Sequence, residues 1–215
     1  MISLVVFRFP AIPPAKAKTV SELVAYIKII ADTTPDIPVY YYHIPIRTGI
    51  NFNMIDLLLE AKDKIPNLVG IKYANSNFMD MQKCLNFENG QFDILHGSDE
   101  TLLCGLSIGI KGGIGTTYNL IPEVYYGIID AYNNNDTERA KQLQLKSVNL
   151  LSIISKYGGG IVGGKHLMKM AQIDCGPCRI PLRTIDPTEA MAMEKELKNS
   201  NLYEMITNTF TSPSL

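Results

Sequence analysis

The sequence lacks the features that would send it to a membrane, a nucleic acid or an oxidising compartment. No apolar run approaches the roughly 20 residues of a membrane span. The opening Met1-Ile-Ser-Leu-Val-Val-Phe7 has no basic stretch and no small-residue cleavage site, so it reads poorly as a signal peptide. Neither sign of charge is in excess: 20 basic and 21 acidic residues leave a net charge of −1. The basic residues are scattered, which removes the electrostatic argument for nucleic acid or an anionic membrane surface. Four cysteines in 215 residues do not make a disulfide framework. The histidines His43, His96 and His166 stand singly, without metal-ligand spacing, so no metal is expected. Low-complexity segments are missing as well. What remains is a reduced, cytoplasmic protein as the simplest expectation. With 46% hydrophobic and 19% charged residues, the chain reads as globular rather than disordered. Its length suffices for one sizeable core or two small ones.

Apolar and β-branched runs alternate with helical patterns over the first two thirds. Ile2–Phe7 reads as a buried strand, followed by a loop at Pro10, Pro13 and Pro14. Thr19 with Glu22 forms a capping box for a helix carrying Val20, Leu23, Val24, Ile27 and Ile30 at helical spacing. Further strands are expected at Val39–Tyr42, Leu68–Lys72, Phe92–Leu95 and the glycine-rich Gly112–Gly115. Helices are expected at Met54–Ala61, around Met79–Cys84, after Asp99-Glu100, and from Pro122 to Tyr132. From there the rhythm changes to helices alone, at Asp136–Lys156, Lys165–Met170 and Pro187–Lys198. Strands alternating with helices imply a parallel sheet with right-handed crossovers. A doubly wound open sheet and a (β/α)8 barrel both fit that pattern. A barrel needs eight strands and about 250 residues, and this chain offers five strands. The organisation expected is residues 1–132 as the α/β part, 133–208 as a helical extension packed on the same domain, and 209–215 as a loose tail.

Polar residues fall at the carboxyl ends of the expected strands: Tyr42, Lys72, Gly97 through Glu100, and Thr116. In parallel α/β folds those ends share one face, where active sites are built. A lysine closing an apolar strand can attack a ketone and form a Schiff base, with burial favouring the neutral amine. A tyrosine on the preceding strand can relay a proton to or from the hydroxyl where the neighbouring carbon–carbon bond breaks. The alternatives are a hydrogen-bonded core tyrosine and a lysine that snorkels to solvent. For Asp99 and Glu100 the alternative is capping at the positive end of a helix dipole.

Three other motifs carry less. Cys175-Gly-Pro-Cys178 copies a redox motif that should follow a strand and open a helix, yet here it follows a helix, so a loop is expected. Gly159 through Lys165 nearly spells a phosphate loop, but His166 replaces the Ser or Thr, and no strand precedes it. Lys165 is therefore not taken as a nucleophile. Chemistry centred on Lys72 needs no cofactor.

Tyr40-Tyr-Tyr-His-Ile-Pro45, Gly70-Ile-Lys-Tyr73, Gly97-Ser-Asp-Glu100, Gly112-Gly-Ile-Gly-Thr-Thr-Tyr-Asn119 and Gly176-Pro-Cys-Arg-Ile-Pro181 together resemble the N-acetylneuraminate lyase group, animal type. That group belongs to the class I aldolase superfamily that includes dihydrodipicolinate synthase. The resemblance runs from about Thr19 nearly to the C-terminus. It implies a (β/α)8 TIM-barrel type fold, here an incomplete barrel of about strands 4–8 followed by C-terminal helices, and a homotetramer. Lys72 would form the Schiff base, and Tyr42 would donate and accept the proton. Gly97, Asp99, Glu100 and Thr116 would hold the hydroxylated tail of the substrate. The reaction implied is reversible retro-aldol cleavage of N-acetylneuraminate to N-acetylmannosamine and pyruvate, in amino-sugar degradation.

Departures from the family pattern qualify the expectation. The first three strands and the Gly-Thr-Thr-Gly-Glu-like carboxylate loop have no counterpart. Ile2–Pro14 matches poorly. Ala74 replaces the usual Ser or Thr. Arg47 stands where dihydrodipicolinate synthases carry an arginine for a second carboxylate, so aldol condensation of pyruvate with an aldehyde is an alternative. A truncated, non-catalytic product is another.

Overall fold

Three parallel strands organise the first part of the chain, and packed helices organise the rest. The computed structural model describes residues 17–209. The strand expected at Ile2–Phe7 and the proline loop after it lie outside the described residues. Helix α1 spans Val20–Asp32, with Thr19 as its cap accepting from the Glu22 N–H at 3.1 Å. The Glu22 carboxylate reaches past the cap to the Lys18 N–H at 2.7 Å, so only half of the expected capping box forms. Strand β1 follows (Val39–His43), then the single turn α2 (Pro45–Thr48), α3 (Met54–Ala61), β2 (Leu68–Tyr73), α4 (Phe78–Asn86) and β3 (Asp93–His96). A turn of 3-10 helix at Asp99–Thr101 leads into α5 (Leu102–Ser107).

The sheet order is β1-β2-β3, all parallel. The pleat sorts its side chains. Tyr41, Ile71, Tyr73 and Ile94 join one apolar cluster with residues of α1, α3 and α4. By alternation, Tyr40, Tyr42, Gly70, Lys72 and Asp93 take the opposite face, where the Tyr40 hydroxyl donates to Asp93 Oδ2 at 2.7 Å. The segment Gly112–Gly115 is not a strand, contrary to expectation. Only Gly113 bridges to His96, flanked by His96 N–H to Gly112 O at 3.0 Å and Ile114 N–H to His96 O at 2.9 Å. With almost no side chains to pack, the segment is tied to β3 by these two backbone bonds.

The described residues form two compact units. One comprises the residues up to Ser98 with Cys104–Ile114, and includes the sheet. The other comprises Asp99–Leu103 and everything from Gly115 onward. The second unit holds α6 (Pro122–Asn133), α7 (Thr137–Lys156), α8 (Gly159–Met170), α9 (Pro187–Asn199) and α10 (Tyr203–Asn208); α7 packs against α6, α8 and α9, and α10 packs against α8 and α9. Helix α6 packs on α7 and so groups with the later helices. Helix α8 starts well before the expected Lys165. Its glycines oppose helix propensity, but close packing prevails: a Cβ on Gly163 would lie 3.2 Å from Ile154 Cγ2. Among the described residues no helix is long and apolar enough to cross a membrane.

Candidate active site

Lys72 and Tyr42 are each the last residue but one of their strands, β2 and β1. The register pairs them Cα to Cα. Lys72 Nζ lies 4.0 Å from the centroid of the Tyr42 ring, the geometry in which an aromatic face attracts a cation. Both side chains are half-buried. Gly97 follows directly after β3. Its N–H donates to Tyr73 O at 2.8 Å, and a Cβ there would come 2.9 Å from Ala74 Cβ. Only glycine lets these two strand ends approach so closely. The expected lysine and tyrosine therefore sit on adjacent strands of one sheet, and the glycine directly follows the third.

The neighbours of Lys72 in the chain are fixed from behind. Tyr73 donates its hydroxyl to Asp80 Oδ2 at 2.8 Å. The same carboxylate accepts the Met54 N–H at 2.7 Å and the Ile55 N–H at 3.2 Å, capping α3 from a distance in sequence. Burial first, then the Asp80 bond, pushes the Tyr73 phenol well above its usual range. His43 ends β1 fully buried. Desolvation lowers its pKa to about 4, against a smaller opposite effect from Asp80. Its Nε2 lies 3.2 Å from Asn75 Nδ2. A neutral ring accepting there carries its proton on Nδ1, which is buried without a hydrogen-bond partner.

Asp99, Glu100 and Thr116 belong to the second unit. Asp99 is 6% exposed, and its Oδ2 accepts from the Thr117 N–H at 2.7 Å and the Thr117 hydroxyl at 2.5 Å. Its backbone carbonyl accepts from Gln144 Nε2 at 3.1 Å and Ser147 Oγ at 3.0 Å. Thr117 and Ser147 both contact the Tyr125 hydroxyl, the latter at 2.7 Å. Burial is the main reason that the Tyr125 pKa rises to about 12. Asp99 is thus tied into a polar network rather than left open. Glu100 and Thr116 are exposed. Thr116 lines a cavity of about 440 Å³ with Leu120, Ile161, Lys165 and Met168.

The sequence reading missed Thr117, Tyr125, Gln144 and Ser147. A signal for two of them existed: Ala140, Gln144 and Ser147 share the buried stripe of α7, where polar residues need partners. Cys175 through Cys178 lie in a segment without regular structure, as expected. Among the described residues no cluster of His, Cys, Asp and Glu has the composition of a metal site.

A parallel α/β sheet with polar residues at its strand ends defines the class, and sequence comparison gives the family. The chain belongs to the dihydrodipicolinate synthetase family, whose profile matches residues 11–200. It is 34% identical to N-acetylneuraminate lyase A of Xenopus laevis over 168 residues, 78% of this chain and 55% of that protein. The structure of an N-acetylneuraminate lyase from Aliivibrio salmonicida superposes with a TM-score of 0.86 at 30% identity, covering 93% of this chain and 66% of that one. The Proteus mirabilis N-acetylneuraminate lyase gives 0.83 at 31% identity, covering 89% and 65%. The chain spans about half the length of the curated relatives it matches.

Proposed function

We propose that this chain carries the chemistry of an N-acetylneuraminate lyase, a class I Schiff-base aldolase. The observation that supports this reading most is the pairing of Lys72 with Tyr42 in register, amine against ring. Lys72 Nζ attacks the ketone carbon of the sugar acid, and water leaves as the protonated imine forms. Tyr42 takes the proton of the hydroxyl two carbons away. The carbon–carbon bond between breaks, its electrons flow into the imine, and N-acetylmannosamine departs as an aldehyde. The resulting enamine takes up a proton, and hydrolysis releases pyruvate and restores the amine. No cofactor enters any step.

In this reading Gly97, Glu100 and Thr116 offer contacts to the hydroxylated tail. Asp99 serves chiefly by holding Thr117 and the loop that carries Thr116. The three described strands belong, in this reading, to an incomplete (β/α)8 barrel followed by C-terminal helices. Homo-oligomeric assembly and a cytoplasmic location belong to the same reading, the former testable by sedimentation.

Pyruvate with borohydride should leave a reduced adduct on Lys72, identified by peptide mass spectrometry. No adduct there in a sample that unfolds cooperatively would overturn the reading and favour a non-catalytic product. Arg47, exposed on α2, motivates a second reading, condensation of pyruvate with an aldehyde as in dihydrodipicolinate synthase. Turnover of aspartate semialdehyde in place of N-acetylneuraminate would support it.

A further inference from the structure

The motif Cys175-Gly-Pro-Cys178 has no part in the chemistry above, and the reason for its form lies in the second unit. Lys165, within α8, donates from Nζ to three successive carbonyls of this loop: Cys175 O at 2.8 Å, Gly176 O at 3.3 Å and Pro177 O at 2.9 Å. The loop is also held by Gly176 N–H to Asp174 Oδ1 at 2.8 Å and by Cys178 N–H to Thr184 Oγ1 at 3.1 Å. Cys175 is exposed and Cys178 half-buried, both as free thiols. Cys178 lines a cavity of about 450 Å³ with Lys165, His166, Lys169 and Asp174, room enough for a small reagent to reach it. Cys84, by contrast, is buried, and desolvation pushes its thiol far above the usual range, so it is inert.

No turn or bend interrupts residues 173–179. A disulfide needs its Cα atoms within roughly 7 Å of each other, the span of a β-turn. A disulfide between Cys175 and Cys178 would hold the loop in such a turn. The two residues between them suit that fold. Gly176 already sits at φ +67°, the sign that the first central position of a type II′ turn requires. Pro177 presets the negative φ of the second. The three carbonyls converge on the Lys165 ammonium along the loop's present course, which a hydrogen-bonded turn with its own carbonyl acceptor would change.

Lys165 connects this loop to a second place, because it also lines the cavity beside Thr116. There α8 packs tightly: a Cβ on Gly160 would lie 3.0 Å from Thr116 Cγ2. We propose that Cys175 and Cys178 form a thiol–disulfide exchange site whose closure releases Lys165 from the loop toward the cavity that Thr116 lines. The oxidant is a low-molecular-weight disulfide. The Cys175 thiolate attacks one of its sulfurs and expels a thiolate. The Cys178 thiolate then attacks Cys175 sulfur in the mixed disulfide and expels the second. Two protein thiols are oxidised, and one small disulfide is reduced to two thiols. This proposal stands apart from the lyase reading, since its test does not measure that reaction.

The probe is 2-hydroxyethyl disulfide applied to the whole chain, followed by a lysine-acetylating reagent, with both modifications mapped by mass spectrometry. The expected result is a peptide containing Cys175 and Cys178 that has lost two hydrogens, and acetylation of Lys165 accelerated about tenfold as its carbonyl partners are withdrawn. Cys178→Ser should stop at the mixed disulfide on Cys175, with Lys165 acetylated at the reduced protein's rate. The doubly substituted Cys175→Ser/Cys178→Ser chain should react with the probe at the exposed Cys104 alone and leave Lys165 acetylated at the reduced protein's rate. Stable mixed disulfides on both cysteines of the unsubstituted chain would overturn the proposal. So would a Cys175–Cys178 disulfide that leaves the acetylation rate of Lys165 unchanged.

Discussion

Acidification should unfold this chain in part through one residue, His43. Its ring is fully buried at the end of β1, and desolvation lowers its pKa from 6.5 to about 4. The sign follows from proton counting. Between those values the unfolded chain binds a proton that the folded chain refuses, so lowering the pH favours unfolding. The contribution is fully present above pH 6.5 and is lost as pH falls toward 4. The difference of 6.5 − 4 = 2.5, at about 1.4 kcal/mol per unit, gives a loss of about 3 kcal/mol. Carboxylates titrate in the lower part of the same window, so the measurement compares the native chain with His43→Asn, which cannot titrate. Urea midpoints at a series of pH values should fall more steeply for the native chain between pH 6.5 and 4. At neutral pH the substituted chain should be the less stable, because Asn fills less of the buried site against the Tyr73 ring, now 5.1 Å away. Parallel pH profiles for the two chains would refute the reasoning, and would mean that the ring is protonated in the folded state.

Three further outcomes are expected. Tyr42→Phe keeps the ring against Lys72 but removes the proton relay, so kcat for N-acetylneuraminate cleavage should fall about a hundredfold or more while the borohydride-trapped pyruvate adduct on Lys72 still forms. Asp80→Ala strips the acceptor from the buried Met54 N–H and leaves the Tyr73 hydroxyl only the Asn77 carbonyl, and should cost about 3 kcal/mol in denaturant unfolding. Gly115→Ala would place a Cβ 1.5 Å from Asp99 Oδ1, on a carboxylate already held by Thr117, and should cost about 2 kcal/mol by thermal or urea unfolding.

Much of the α/β part was legible because its signals are local. Helix α3 begins and ends where the Met54 and Ala61 pattern puts it, and β1, β2 and β3 differ from expectation only at their ends. Position at the carboxyl ends of successive strands brought Lys72 and Tyr42 together, and the parallel pairing follows from the connecting helices. What could not be read depends on contacts distant in sequence. The glycines of α8 argue against a helix until Thr116 is seen to crowd Gly160 and Ile154 to crowd Gly163. Gly112–Gly115 looks like a short strand, yet strand formation needs a partner along its whole length, and only His96 supplies one. Asp80 caps a helix that starts 26 residues earlier, a relation with no trace in local spacing.

Asp99 shows how a residue can match a family motif and owe its place to the fold as well. Two roles suggested themselves from sequence, a helix cap or a substrate contact. Its carboxylate does neither of these alone: it binds both the N–H and the hydroxyl of Thr117, 18 residues onward. That bond joins two of the motifs that carry the family resemblance, Gly97–Glu100 and Gly112–Asn119, into one device. Gly115 is glycine because the device occupies the space of its side chain. Thr116 stands between Gly115 and Thr117, in a loop that the bonds from Thr117 to Asp99 anchor. The exposed residues, Glu100 and Thr116, are the ones the proposed function assigns to the substrate. The buried ones, Asp99 and Thr117, determine where those partners stand. A substitution at Asp99 should consequently change stability and activity together, whereas one at Glu100 has little buried contact to lose.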